Sequence, residues 1–219
     1  MRKSVRKIIP MLLMLCLLLW VTPSVMAAEQ MPSFADVDEG DWFYNAVRFV
    51  LGRGLMQGTA ENTFIPNMTT TRAMAVTVLW RLADEPNVGA SVFGRPFSDV
   101  EPDAWYYDAV IWARENGIIS GYSDGRFGPA DDITREQLTT IVFNYLKFIG
   151  EGPEGAWMLY VDFEDADDIS YWALEAVAFC YMKGIVTGNP NNTFSPAGDA
   201  TRAEYAVMLM RLEYAIAVP

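Results

Sequence analysis

Residues 184–196 read GIVTGNPNNTFSP and lead into Thr201-Arg202-Ala203-Glu204. The same unit stands twice more upstream, where the four residues are Thr134-Arg135-Glu136-Gln137 and Thr71-Arg72-Ala73-Met74. In each copy the Thr precedes a run with helical apolar spacing. Its hydroxyl is therefore placed to accept a hydrogen bond from an unpaired N–H at the helix start. The pattern predicts a capped helix after each glycine-rich segment.

The residue three positions after each Thr decides how complete the cap is. Thr201 with Glu204, and Thr134 with Gln137, have the spacing of a capping box, in which each side chain pairs with the other residue's backbone N–H. The first copy has Met74 at that position, which cannot accept a hydrogen bond from the backbone. We expect two capping boxes and one simpler cap.

An Arg follows the Thr in all three copies, and capping does not explain it. A cation at the first helical position faces the positive end of the helix dipole, at a cost of roughly 0.3–1 kcal/mol. An Arg fork beside free helix N–H groups is a good receptor for a carboxylate or a phosphate. The residues thus suggest three anion-binding sites, at Arg72, Arg135 and Arg202.

A structural alternative for these arginines stays open, namely salt bridges to the recurring Asp36, Asp99 and Asp165. We expect the arginines to be exposed, so Arg202→Ala should weaken ligand binding sharply and leave the fold intact, because exposed ionic groups contribute little to stability.

The rest of the chain follows the same repeat. An offset of 63 residues superimposes copy one on copy two without a gap, and copy three contains one inserted residue in its first loop. Each copy reads as loop, helix, long turn and helix, and the second helices are the more apolar. A unit of about 60 residues buries too little surface to be stable alone, so the three should pack into one domain. The expected segments are a signal peptide (1–28), repeats 29–83, 97–149 and 162–219, and linkers 84–96 and 150–161.

Composition excludes several functions. A basic start and an apolar run from 8 to 21 predict a secretory signal peptide and no membrane segment after its cleavage. Cleavage removes four of the 16 basic residues and none of the 28 acidic ones, which leaves a net charge of −16 and disfavours nucleic acid as a partner. The chain has no His, and Cys180 is the one cysteine beyond the leader, so we expect no catalytic residue, metal site or cofactor.

A family resemblance rests on the whole spacing of the second copy: Phe97-Ser98-Asp99-Val100, Trp105, residues 117–121, residues 124–129 and Ile133-Thr134-Arg135. These residues, with Thr201-Arg202-Ala203-Glu204, resemble the surface-layer homology (SLH) repeat. The resemblance implies an all-α fold of three helix-loop-helix repeats in a pseudo-threefold arrangement around a central three-helix bundle. It also implies a secreted protein held non-covalently at the bacterial cell wall or S-layer by secondary cell-wall polysaccharide, often bearing ketal-linked pyruvate, in grooves between adjacent repeats.

The predicted ligand-binding residues combine this resemblance with the recurring positions of the repeat. The Trp residues suit either the core or stacking on a sugar, and the Gly residues suit either backbone geometry or close approach of a ligand. The first groove, with Met74, is expected to be the weakest. A secreted helical array that binds a protein partner, such as another surface protein, is the alternative function. The predicted residues are Arg72, Arg135, Arg202, Glu204, Gln137, Trp42, Trp105, Trp172, Gly58, Gly121 and Gly188.

Overall fold

The computed structural model describes residues 33–89, 97–155 and 157–217. These residues form six α-helices and one short 3-10 helix (Ala166–Asp168), and they contain isolated β-bridges but no β-strand, which confirms the all-α prediction. The predicted signal peptide lies outside the described residues. The helices are α1 (Tyr44–Gly52), α2 (Arg72–Leu82), α3 (Tyr107–Glu115), α4 (Arg135–Phe148), α5 (Leu174–Met182) and α6 (Arg202–Ala217).

The helices are short relative to a lipid bilayer. Among the described residues, none is both long enough and apolar enough to cross a membrane.

Two residues after the first helix of each repeat ends, the chain has a glycine with a left-handed backbone. Gly54, Gly117 and Gly184 have φ of 68°, 68° and 70°, a conformation that favours glycine. The residue after the glycine then folds back, as when Ile118 N–H donates to Ala113 C=O at 2.8 Å, and its side chain is fully buried. This turn is the usual glycine stop of a helix, and it starts the loop that leads to the second helix.

The second helices begin with the caps expected from the sequence. The Thr134 hydroxyl accepts from Gln137 N–H at 3.3 Å, while the Gln137 side chain accepts from Thr134 N–H at 3.3 Å. Thr201 and Glu204 form the equivalent reciprocal pair, at 3.3 and 2.8 Å. Thr71 caps α2 through one hydrogen bond, from Met74 N–H at 3.3 Å. Both capping boxes and the simpler first cap are therefore confirmed.

Helices pack between repeats more than within them. Helix α3 of the second repeat packs against α2 of the first, and α5 of the third packs against α4 of the second. The order closes because α1 of the first repeat packs against α6 of the third. Each repeat therefore completes the core of a neighbour, in line with the expectation that the three repeats pack into one domain.

Three backbone hydrogen bonds close the same cyclic order just before the second helices. Thr70 N–H donates to Ala200 C=O at 2.8 Å, Ala200 N–H to Ile133 C=O at 2.9 Å, and Ile133 N–H to Thr70 C=O at 2.9 Å. These residues occupy equivalent positions in the three repeats. The bonds establish the cyclic order of the repeats, and the pseudo-threefold arrangement stays a prediction.

The second helices also contact one another. Helix α2 packs against α4, and the hydroxyl of the fully buried Tyr205 on α6 donates to Ala75 C=O on α2 at 2.8 Å. An ion pair joins α4 to α6 through Arg135 and Glu204. Cys180 lies on α5 with no exposed surface, as the sequence predicts for a small core residue, and burial raises the pKa of its thiol.

Candidate functional site

The three recurring arginines are not exposed. Arg72 and Arg202 are each 6% exposed, and the side chain of Arg135 is 13% exposed. Each Nε donates to the backbone carbonyl of a phenylalanine in another repeat: Arg72 to Phe127 at 2.8 Å, Arg135 to Phe194 at 2.6 Å, and Arg202 to Phe64 at 2.9 Å. The expectation of exposed arginines was wrong, because each one joins its own repeat to the next in the cyclic order.

The same phenylalanine rings lie beneath the guanidinium groups. The Arg202 guanidinium carbon lies 4.4 Å from the centre of the Phe64 ring, and the corresponding distances for Arg72 over Phe127 and for Arg135 over Phe194 are 5.0 and 5.2 Å. Burial lowers the pKa of Arg72 and of Arg202. Because arginine ionises far above neutral pH, these groups are still cations.

The recurring aspartates accept hydrogen bonds from the backbone N–H groups of the same phenylalanines. Asp99 accepts from the N–H groups of Phe127 and Gly128 at 2.7 and 2.8 Å, and Asp36 and Asp165 make the equivalent pairs of bonds in the other repeats. Among the described residues these aspartates form no ion pair with the arginines. The salt-bridge alternative is therefore wrong. In each case the Asp accepts a hydrogen bond from the phenylalanine N–H, and the Arg donates one to the phenylalanine C=O.

The N–H groups at the starts of the second helices already have partners. Arg135 N–H and Glu136 N–H donate to the carbonyls of Gly198 and Pro196 in the third repeat, at 2.8 and 3.1 Å. The first two N–H groups of α2 and of α6 donate in the same way to carbonyls of the neighbouring repeat. These N–H groups are not free to receive an anion, which corrects one premise of the sequence argument. At these helix starts, an anion would have to be bound by side chains.

One cleft, here called the third cleft, has a volume of about 460 Å³ and opens beside the glycine-rich loop of the third repeat and α6. Its walls include Arg135 from the second repeat, Gly188 and Glu204 from the third, and Trp42 from the first. All three repeats therefore contribute to one cleft, and four of the predicted residues meet there.

Two smaller clefts occupy equivalent places. The second cleft, about 280 Å³, contains Arg72, Gly121, Gln137 and Trp172 among its lining residues. The first cleft is about 160 Å³, and its walls include Arg202, Trp105 and Met74. Gly58 does not line the first cleft, although its neighbour Gln57 does. Ten of the eleven predicted residues thus lie in clefts, each arginine in the cleft of the next repeat.

The tryptophans and glycines differ in what surrounds them. Trp42, Trp105 and Trp172 are 67%, 64% and 54% exposed, so the core interpretation was wrong for these residues. The glycines, in contrast, lie against a phenylalanine of their own repeat. A Cβ at Gly121 would come within contact distance of the Phe97 ring and 2.8 Å from Arg126 C=O, and φ at this position is +76°. Backbone geometry and close packing require glycine there.

Sequence reasoning missed one recurring position, nine residues after each of the three arginines. Arg81, Asn144 and Arg211 stand there, each lines the cleft of its own repeat, and each donates to the loop that forms the opposite wall. The acceptors are Leu55 C=O at 3.1 Å, Ile118 C=O at 3.0 Å and the Thr187 hydroxyl at 2.9 Å, respectively. A polar residue recurring nine positions after each arginine was the available signal.

The S-layer homology domain model matches residues 33–75, 96–139 and 162–206. An amylopullulanase of Thermoanaerobacterium thermosulfurigenes is 35% identical over 190 residues, which cover 85% of this chain and 10% of that protein. A surface-layer 125 kDa protein of Lysinibacillus sphaericus is 30% identical over 193 residues, which cover 85% of this chain and 15% of the relative.

A cellulosome-anchoring protein of Acetivibrio thermocellus is 28% identical over 158 residues, which cover 71% of this chain and 34% of the relative. The chain therefore spans between a tenth and a third of the length of these three relatives. The similarity to the amylopullulanase is confined to a tenth of that enzyme and gives no reason to assign its reaction to this chain.

Proposed function

Since the chain belongs to the S-layer homology family and is a cell-surface protein, we propose that it binds secondary cell-wall polysaccharide in its three clefts. Binding of this kind attaches a protein to the wall without a covalent bond. Catalysis has no part in the proposal.

The observation that carries the proposal is the composition of the clefts. Each one combines an arginine with a tryptophan that is more than half exposed, contributed by two different repeats. An indole offers an apolar face to a sugar ring, and arginine offers a fork of donors to hydroxyl or acidic groups. Concave sites with an apolar wall and a few convergent polar groups are typical of small-ligand binding.

The charge of the protein bears on the kind of saccharide. At a net charge of −16 beyond the leader, an acidic polymer is repelled over most of the surface, so it must be recognised by cations at contact range. Charge-assisted hydrogen bonds from arginine supply that recognition. We therefore include an acidic substituent, such as ketal-linked pyruvate, in the proposed ligand.

Three clefts on one domain also affect how long the protein stays bound. A repeating polymer can occupy more than one cleft, and once the first is filled, the second binds as an intramolecular step. A modest affinity at each cleft then suffices for stable attachment.

The experiment is cosedimentation of the mature chain with purified wall sacculi, before and after mild acid removal of ketal-linked pyruvate. We expect binding to intact sacculi and a large loss after the acid treatment. If binding survives the treatment, the polysaccharide remains the proposed ligand and the pyruvate is ruled out as the group recognised. Absence of binding to both preparations would overturn the proposal.

Docking to another surface protein is the second candidate, and an exposed apolar run favours it. Met158, Leu159 and Tyr160 are 80%, 49% and 59% exposed, and Met182 is 58% exposed. Apolar surface of this kind is a common feature of protein interfaces. Retention on walls that keep their proteins, without retention on purified sacculi, would favour this second function.

A further inference from the structure

The three clefts differ in how their positive charges are balanced. In the third cleft, Arg135 donates to a carboxylate oxygen of Glu204 at 2.5 Å, and both side chains are largely buried, with 13% and 25% exposed. The same carboxylate closes the cap of α6 through Thr201. The charge of Arg135 is therefore already matched, and an acidic ligand would gain little by approaching it.

Arg211 lies in the same cleft and has no such partner. Its guanidinium donates one hydrogen bond, to the neutral hydroxyl of Thr187 at 2.9 Å. It is half-buried, and no carboxylate in the ranges 33–89, 97–155 and 157–217 forms an ion pair with it. Burial lowers the pKa of Arg211, as expected for a cation removed from water without a counter-charge. Most of its five N–H donors are left for a ligand.

We propose that Arg211 binds the acidic group of the ligand in the third cleft, a carboxylate or a phosphate, and that the paired Arg135 and Glu204 bind its neutral hydroxyl groups. This inference rests on the proposed function and specifies which side chain of the cleft determines specificity. A half-buried cation beside a cleft of about 460 Å³ can form a charge-assisted and bidentate contact with either anion.

The second cleft has the opposite arrangement. The residue equivalent to Arg211 is the neutral Asn144, and the residue equivalent to Glu204 is the neutral Gln137. Arg72 is then the cation of this cleft, and among the described residues it forms no ion pair. Its guanidinium lies 4.7 Å from the centre of the Tyr122 ring. The acidic group is thus bound from different walls in the two clefts.

In the first cleft both cations are already engaged. Arg202 donates to the carbonyls of Phe64 and Gln57 at 2.9 and 2.7 Å. Arg81 donates to Leu55 C=O at 3.1 Å and lies 3.8 Å from a carboxylate oxygen of Glu85. Arg81→Gln therefore removes a cation from the same repeat position as Arg211 without touching the third cleft, which makes it the matched control.

The test follows each cleft through its own tryptophan. Solubilised wall polysaccharide is titrated into the mature chain while the indole N–H signals of Trp42, Trp172 and Trp105 report the third, second and first clefts. Arg211→Gln is expected to weaken binding at Trp42 by about tenfold or more and to leave Trp172 unchanged. Arg211→Lys should restore part of the affinity, because it keeps the charge, and Arg81→Gln should leave Trp42 unaffected.

Chemical treatment of the polysaccharide identifies the acidic group. Mild acid removes ketal-linked pyruvate, and cold aqueous hydrogen fluoride removes phosphate. The treatment that makes wild type and Arg211→Gln bind equally weakly at Trp42 names the group that Arg211 binds.

The outcomes separate this inference from the function on which it rests. If wild type and Arg211→Gln bind the untreated polysaccharide equally at Trp42, the assignment of Arg211 is overturned and wall binding stands. If none of the three indole signals of wild type shifts, both fail. If Arg211→Gln does not fold, Arg211→Lys is compared with wild type instead. The inference is supported if Arg211→Lys binds more weakly than wild type at Trp42 and equally at Trp172. It is overturned if the two proteins bind equally at both positions.

Discussion

The arginine and the tryptophan of each cleft differ in what surrounds them. In the first cleft, Arg202 is 6% exposed and is hydrogen-bonded to another repeat, whereas Trp105 is 64% exposed. Loss of the arginine therefore disturbs the fold as well as the cleft, while loss of the tryptophan changes the cleft alone. Binding can be separated from stability at the tryptophans, and the recurring arginines are poor positions for that purpose.

The largest effect on stability is expected from Arg202→Ala. The change leaves the carbonyls of Phe64 and Gln57 without their donor and exposes the ring beneath the guanidinium. An unsatisfied buried acceptor costs about 1–3 kcal/mol, so we expect a loss of about 3 kcal/mol in the free energy of unfolding, measured by urea denaturation. Trp105→Ala in the same cleft is the control, and a stability of Arg202→Ala equal to wild type would refute the role of Arg202 as a link between repeats.

A smaller effect on stability is expected from Gly121→Ala. This variant tests whether the glycine of the second cleft, like the arginines, is needed for the stability of the fold. Its φ of +76° is strained for alanine, and the added Cβ would contact the Phe97 ring and Arg126 C=O. The left-handed backbone costs roughly 1–2 kcal/mol, and the crowding adds to that cost. We therefore expect the free energy of unfolding to fall by about 2 kcal/mol, measured by urea denaturation.

Gly188→Ala provides the matched control for Gly121→Ala. The equivalent Cβ contacts at Gly188 are looser, at 3.1 Å to the Phe163 ring and 3.3 Å to Thr193 C=O, and its φ is not in the left-handed region. Its melting temperature should therefore fall less than that of Gly121→Ala. Equal losses for the two variants would show that backbone strain is not the cause.

The sequence predicted the local features well because they depend on neighbouring residues. The pairs Thr134 with Gln137 and Thr201 with Glu204 are three residues apart, and the helix stop at Gly117 depends on its own turn. The number of helices and the repeat order follow from the same short-range patterns.

Contacts between repeats could not be predicted from these short-range patterns. The sequence places Arg202 beside Glu204, yet Glu204 pairs with Arg135, which lies 69 residues earlier. Hydrogen bonds that join distant segments depend on which helices pack together, and the apolar pattern of a helix does not specify its partner. For the same reason the burial of the arginines, and the presence of Arg211 in the third cleft, were found only in the structure.

The smallest effect on stability, and the sharpest test of the comparison, is expected from Trp42→Ala. Trp42 is 67% exposed, and its ring contacts Phe43 edge-on, so the change should alter the free energy of unfolding by about 0.5 kcal/mol or less. If the indole stacks on a sugar, as the proposed function requires, affinity for wall polysaccharide at the third cleft should still fall about tenfold, measured by calorimetric titration. Trp42→Phe keeps an aromatic face and should retain part of that affinity. If Trp42→Ala binds as well as wild type, the indole does not stack on a sugar. If Trp42→Ala loses as much stability as Arg202→Ala, the tryptophans and the arginines do not differ in their contribution to the fold.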